Sequence, residues 1–459
     1  ISTDAKLFEA ATGETRVAFS AAGKSQGDAI LHVNAFAEEA NNSLFGTGST
    51  SVATGAVQPA PPQAGGQVPD AASRANPEAL YRRELGVGIS EVPTGSEPAA
   101  LLWKSGNFKD RIHAIAVGDV DGDQKVEVVM AGRETIYVYR MEAGGGMQRV
   151  SEIPLDHWVT VFGVDTADLN GNGIEELFIS ARDDKFRPDS FVMEWDGAQF
   201  ATIEKNSRWY FRAVPDPVSG ERVLYGQQGG LRDPLFGAVY AMGWSDGRYS
   251  PQEKQFVPNQ STVFGFATGD VLHTGEPVVV SFVKGEKLRI TMPNGREEWT
   301  SADRYGGRSD YLVPSEEYVQ LQRESRANPD PEPMSRDWLA QRVIIDDVNG
   351  DGKQEVLVVM NHDQTGGVFE RLRSFTKGRF ECLQWDNIGL QPLWRTRYFT
   401  GYISDYDYAD PNNDGQKELI FCVVKEIGDP ITGSKISYLV VWKPEQAAAA
   451  PPTPAPASQ

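Results

Sequence analysis

Apolar residues in this chain fall in short runs separated by turns, with no long helical stripe after about residue 98. VEVVMAG (126–132), ELFIS (176–180), VVVSF (278–282), EVLVV (355–359) and ELIFCVV (418–424) are nearly unbroken. Runs this short, bounded by Gly, Asn and Asp and rich in β-branched and aromatic residues, predict strands with both faces covered. Around the first of them, IHAIAVG (112–118), TIYVYRM (135–141) and MQRVSEI (147–153) predict three more strands. The group reads as one four-stranded antiparallel sheet.

The pattern repeats. DVDGDQKVEVV opens at Asp119, and the same arrangement returns as DLNGNGIEELFIS from Asp168, DVNGDGKQEVLVV from Asp347 and DPNNDGQKELIFC from Asp410. Two segments with the same surroundings but a decayed loop lie between, around Asp216 and Asp270. First residues are spaced 49, 48, 54, 77 and 63 apart. A unit of about 48 residues suits a propeller blade, so the fold class is all-β, a β-propeller of six blades, with seven the alternative count. The long interval places an insertion at 303–340, on one rim, where SEEYVQLQRES predicts a helix. After Asp410 only three strands can be found. AALLWKSG (99–106) resembles LQPLWRTR (390–397), which precedes the last inner strand, and is expected to supply the missing outer strand and close the ring.

Ahead of the propeller (98–443) the organisation changes. Residues 5–20 predict two strands turning at Thr12, Gly13 and Glu14, and Ile30, Val33, Ala37, Ala40 and Leu44 recur at helical spacing. This partial α+β element (1–54) is too small to bury a core alone. It is similar to the last strands and helix of periplasmic lipoprotein domains that assist surface assembly, which implies an assembly partner. Residues 55–97 are a Pro/Gly/Ala-rich linker, and 444–459 a Pro/Ala tail.

Charge narrows the choice of partner. A formal net charge of -20 opposes binding to nucleic acid or to anionic lipid, and makes cations the natural ligands. Two cysteines provide no disulfide framework, and Cys422 reads as a core thiol. No run of 18 apolar residues predicts a transmembrane segment. The chain begins with Ile and carries no signal peptide, so it is expected to be a processed product.

Each recurring loop has Asp first, Asp or Asn third and fifth, and Glu ninth. Oxygens at these positions, with the backbone carbonyl of the seventh residue, can converge on one hard cation, and Ca2+ tolerates such irregular oxygen sets best. An EF-hand would need Glu at position 12, where this chain has Met130, Ile179, Val358 and Phe421. The repeats resemble the FG-GAP or VCBS repeats of integrin-like β-propellers, which carry calcium between the first and second strands of a blade. That resemblance implies up to four Ca2+ sites. The first is Asp119, Asp121, Asp123, Lys125 and Glu127; the second Asp168, Asn170, Asn172, Ile174 and Glu176. The third is Asp347, Asn349, Asp351, Lys353 and Glu355; the fourth Asp410, Asn412, Asp414, Gln416 and Glu418. The third and fourth are expected to be the most regular, the second the weakest, and Gln124 breaks the Gly pattern in the first.

Candidate catalytic chemistry is sparse. Five histidines form no HExxH pair, and the chain has no GxSxG or Walker loop. His113 and His157 lie beside inner strands and are candidates to line a central channel. The expected function is a noncatalytic, calcium-stabilised module that presents one face to a protein or glycan partner. Weak calcium sites fill outside the cytosol, so the expected location is extracellular, at the cell surface or periplasmic. The alternative is a polysaccharide-active enzyme whose cleft is walled by the insertion, with RWYF (208–211) as a sugar platform.

Overall fold

The computed structural model describes residues 2–8, 15–22, 101–142, 146–255, 257–258, 261–325, 336–364, 373–427 and 434–444. The chain divides into two units, Ile1–Pro93 and Thr94–Gln459. In the first, Ser2–Phe8 pairs antiparallel with Thr15–Ala22. The helix expected over about 27–44 and the linker at 55–97 lie outside the described residues.

The second unit is a propeller of six blades, each built on four antiparallel strands that follow sequence order in all but the last blade. Blade 1 runs Ala114–Gly118, Glu127–Ala131, Thr135–Glu142 and Gly146–Pro154. Blade 2 begins with Thr160–Ala167 and Glu176–Arg182, blade 3 with Trp209–Pro215 and Arg222–Gln228, and blade 4 with Phe266–Gly269 and Val278–Val283. Blade 5 begins with Ile344–Asp346 and Glu355–Asp363, and its third strand, Phe375–Trp385, also pairs with the short Phe399–Thr400. Blade 6 comprises Tyr402–Ala409, Glu418–Ile427, Ser434–Trp442 and, from the other end of the propeller sequence, Leu101–Lys104.

The unbroken apolar runs are the second strands, and their burial explains them. Every residue of Glu127–Ala131 is buried, whereas Gly146–Pro154 at the outside has none buried. A second strand is covered on both faces by neighbouring blades, so neither set of alternating side chains reaches water. Ala116, Val129 and Val138 pack with Val161, Leu177 and Ile179 of blade 2. On the other side, Ile115, Val128 and Met130 pack with Ile420, Cys422 and Leu439 of blade 6. Each fully buried aliphatic side chain contributes about 1.5–3 kcal/mol relative to exposure.

The ring closes as the similarity of its two Leu/Trp segments predicts. Trp103 lies opposite Val441 and Lys104 opposite Val440. The Ser105 N–H donates to the Leu439 carbonyl at 3.0 Å, and the Leu439 N–H donates to Ser105 Oγ at 2.8 Å. Pairing the first strand of the propeller with the last leaves no open edge at this seam.

A network of buried charged side chains links the inner strands. Arg342, just ahead of blade 5, donates to both carboxylate oxygens of Asp405 at 3.0 and 3.1 Å and to Asp165 at 3.0 Å. Arg212 of blade 3 shares Asp165 at 2.9 Å. All four are buried. The insertion also enters the ring. Tyr305, Arg308 and Asp310 are buried, and Arg308 donates to the Phe162 carbonyl of blade 2. Gly307 passes so close to blade 5 that a Cβ on it would lie 2.9 Å from Phe375 and 3.0 Å from Asn361, and its φ of +84° also favours glycine. Only further along does the segment form its helix, Glu316–Ser325, which has no buried residue.

No helix among the described residues is long and apolar enough to cross a membrane.

Candidate metal centres

All four acidic loops join the first strand of a blade to its second, and local hydrogen bonds give them one shape. The first Asp accepts backbone N–H groups from the turn it starts. Asp119 accepts from Gln124 at 2.8 Å, Asp168 from Gly173 at 2.8 Å, Asp347 from Gly352 at 2.8 Å and Asp410 from Gly415 at 2.7 Å. The fifth residue then accepts the N–H of the seventh. Lys125, Ile174, Lys353 and Gln416 donate in this way to Asp123, Asn172, Asp351 and Asp414 at 2.9–3.0 Å. Third-position oxygens of Asn170, Asn349 and Asn412 accept from the fifth-residue N–H at 2.8–3.0 Å.

The sixth residue turns the chain through the left-handed region, with φ of 86°, 83° and 83° at Gly173, Gly352 and Gly415. Gln124 makes the same turn at φ 68°. The loop shape therefore survives without glycine, at a steric cost. The decayed loop of blade 4 also keeps the turn, Asp270 accepting from Gly275 at 2.9 Å, although its third, fifth and ninth residues are Leu272, Thr274 and Val278.

The ninth residue opens the second strand, and Glu127, Glu176, Glu355 and Glu418 are completely buried. Three of them accept the N–H of the second loop residue: Glu127 from Val120 at 3.2 Å, Glu176 from Leu169 at 2.8 Å and Glu355 from Val348 at 3.0 Å. In the fourth loop that residue is Pro411, which has no N–H. One oxygen of Glu418 thereby loses the donor its sisters have, and neither oxygen has a hydrogen-bond partner. Burial pushes Glu127, Glu355 and Glu418 each up to about 7. A buried carboxylate in this position has an unmet demand for positive charge.

What sits beside each Glu is set by the third strand of its blade. With Val128 opposite Tyr139, Leu177 opposite Met193, Val356 opposite Leu383 and Leu419 opposite Trp442, the next positions outward are Arg140, Glu194, Gln384 and Lys443. Arg140 fills the first loop, reaching Glu127 at 2.6 Å and Asp121 and Asp123 at 2.8 Å. Glu194 adds a carboxylate to the second, accepting from the amides of Asn170 at 2.6 Å and Asn172 at 2.7 Å. Lys443 turns aside to Gln416. None of these four residues belongs to the recurring motif, and only the register across the second hairpin could have exposed them.

Two of the loops bring three carboxylates within ligand distance of one another: Asp119, Asp121 and Glu127, and Asp410, Asp414 and Glu418. In the first group a guanidinium stands where a cation would bind. In the fourth, an unpartnered buried Glu418 faces two more carboxylates, so this donor set fits a hard cation best.

Other candidate residues have structural places. His113 is buried, its Nδ1 3.1 Å from Asp310, while His157 is exposed and packs edge-on against Trp158. In RWYF, Tyr210 and Phe211 are buried core residues of an inner strand and offer no sugar platform. Cys382 and Cys422 are free and buried.

A model of the FG-GAP-like repeat matches residues 119–179, which span the first two acidic loops. No curated protein matches the chain. Among solved structures, the chain is similar to BBS1N in a complex with ARL6DN soaked with lead. Identity is 10%, coverage 76% of this chain and 98% of that one, and the TM-score 0.39. The same complex soaked with mercury aligns at 9% identity, covering 74% and 96%, with a TM-score of 0.36. Residues 119–179 thus match an FG-GAP-like repeat and lie within a six-bladed β-propeller.

Proposed function

We propose that the protein is a noncatalytic binding module whose propeller is stabilised by calcium at its DxDxDG-type loops and presents a face to a protein or glycan partner. The observation that carries this reading is Glu418, a fully buried carboxylate with two unpartnered oxygens beside Asp410 and Asp414. Calcium there would take oxygens from Asp410, Asn412, Asp414 and Glu418 and the backbone carbonyl of Gln416. Asp347, Asn349, Asp351, Lys353 and Glu355 would form the next site. The loop from Asp168 to Glu176 would draw on Glu194, and the loop from Asp119 to Glu127 competes with its own Arg140.

The energetics favour a structural role. With calcium near 1 mM and an affinity of about 0.1 mM, each filled site stabilises by about 1.4 kcal/mol. Two or three sites are then comparable to a good part of a domain's net stability. Sites this weak stay empty at cytosolic calcium levels, so the reading places the protein outside the cell, at its surface or in the periplasm. Its amino-terminal strand pair would join an assembly partner.

Thermal melting in calcium and in EGTA, followed by a glycan array, tests the proposal. A melting temperature several degrees higher in calcium supports it. Identical melting curves would remove the calcium, and turnover of an arrayed glycan would remove the noncatalytic reading.

A further inference from the structure

We propose that the propeller carries a second site, on the face opposite the acidic loops, which binds an anionic sugar unit: a hexose bearing a carboxylate, sulfate or phosphate group. The acidic loops follow the ends of the inner strands. The pocket lies where the blade 6 inner strand begins, at Gly401 and Tyr402, and where its second strand ends, at Val424 and Lys425. Its volume is about 300 Å3. That lies at the lower end of the range for small-molecule sites, too large for a bare oxyanion and large enough for one attached to a sugar ring.

Its chemistry runs against the rest of the molecule. Acidic residues outnumber basic ones 64 to 44 along the chain. Yet among the described lining residues are four cations (Arg111, Arg373, Lys425 and Lys435), four serine or threonine hydroxyls and no carboxylate. The hydroxyl groups, on Ser309, Ser374, Thr376 and Thr400, suit the remaining oxygens of an anion or the hydroxyls of a sugar. Phe375 lies against Tyr402 with centroids 5.4 Å apart and planes 20° from parallel, giving the pocket an aromatic wall. Such a wall matches the C–H face of a sugar ring and has no use for a simple ion.

The arginines are held in place from behind. Arg111 donates to Ser309 Oγ at 2.8 Å and to Asp310 at 2.9 Å, and its buried Nε has no partner. Arg373 donates to Glu286 at 2.5 Å and to the Arg308 carbonyl at 3.0 Å, with its guanidinium over Trp338 at 4.5 Å. Asp310 and Glu286 offset part of the positive charge, and neither lines the pocket. Guanidinium groups fixed in this way lose little freedom when an anion arrives.

This inference rests on the binding-module reading and names the ligand class for a face that calcium does not touch. Calorimetric titration of the full chain, in calcium and again in EGTA, tests the two ideas separately. Probes are glucuronate, glucose 6-sulfate, glucose 6-phosphate, glucose, inorganic sulfate and hexaglutamate. At least one anionic hexose is expected to bind in both buffers, with glucose and inorganic sulfate weaker by about tenfold or more. Lys425→Gln should weaken that binding and Lys425→Glu should weaken it further, by about tenfold or more, with melting unchanged. Glucose binding equally well, no binding of any anionic hexose up to about 10 mM, or full binding by Lys425→Glu would overturn the site. Hexaglutamate binding tighter than every sugar would overturn the ligand class.

Discussion

Arg140 lies against Glu127 at 2.6 Å, so the first acidic loop carries its own counterion, supplied by the third strand of the same blade. The same side chain reaches Asp121 and Asp123, which makes it a stand-in for a metal. Replacing it separates the two roles. Arg140→Gln should destabilise the chain by about 1–3 kcal/mol in EGTA, because Glu127 is left buried and uncompensated. Much of that loss should return in excess calcium, which gains an unobstructed site. Urea denaturation in both buffers checks this; an equal loss in each would mean that the vacated loop does not take calcium.

Arg342 joins three blades at the ring centre through Asp405, Asp165 and the Ile115 carbonyl. Buried ion pairs add little net stability over apolar packing, but removing one partner is expensive. Arg342→Met should therefore cost about 3–5 kcal/mol, and Arg342→Met combined with Asp405→Leu should cost less than the single change. A double variant less stable than Arg342→Met alone would show that Asp405 does not depend on Arg342 for its charge.

Acid should act first through the cluster around Asp310. Burial opposes its ionisation, but His113 once its ring is protonated, together with Arg111 and Arg308, outweighs that and holds the carboxyl well below the usual carboxylate range. The stability this contributes is complete above the unfolded value of about 4 and is lost as pH falls through the lower folded value. Burial lowers His113, more than Asp310 raises it. The neutral ring thus adds a loss that starts as pH falls below about 6.5. Asp310→Asn should be much less stable than the parent at neutral pH, with the gap narrowing below about pH 4. Chemical denaturation across pH measures this, and a gap that stays constant into acid would contradict it.

Gln124 sits in the left-handed region at φ 68°, where three sister loops have glycine. The strain of a side chain there is about 1–2 kcal/mol, partly offset by the extra freedom glycine has when unfolded. Gln124→Gly should raise stability by up to about 1 kcal/mol. A drop in melting temperature would mean that the Gln124 side chain makes a contribution beyond the turn.

Much of this architecture can be read from the sequence because its signals are local. A second strand covered on both faces leaves a continuous apolar run, as in Leu419–Val424, and the loop ahead of it repeats its Asp, Asn and Glu positions. Even the ring closure has a local trace, in the likeness of Leu101–Lys104 to Leu390–Arg395. The axis has none. Arg342 and Asp165 are 177 residues apart, and each looks like an isolated polar residue in or near a strand. Arg140 and Glu194 were hidden for a different reason. Their place beside the loops depends on strand register, which hairpins of unequal length disguise. The turn of Tyr305–Asp310 into the ring depends on Gly307 fitting against Asn361 and Phe375, a contact with no counterpart in the repeat.

Calcium binding itself is the most direct test of the proposed function. Calorimetric titration of calcium into EGTA-stripped chain, beside the Glu418→Gln variant, addresses the loop with the strongest donor set. The account predicts saturable binding at up to four sites in the parent, and loss of one of the tightest in the variant. Absence of saturable binding at millimolar calcium, or an unchanged titration in Glu418→Gln, would contradict it.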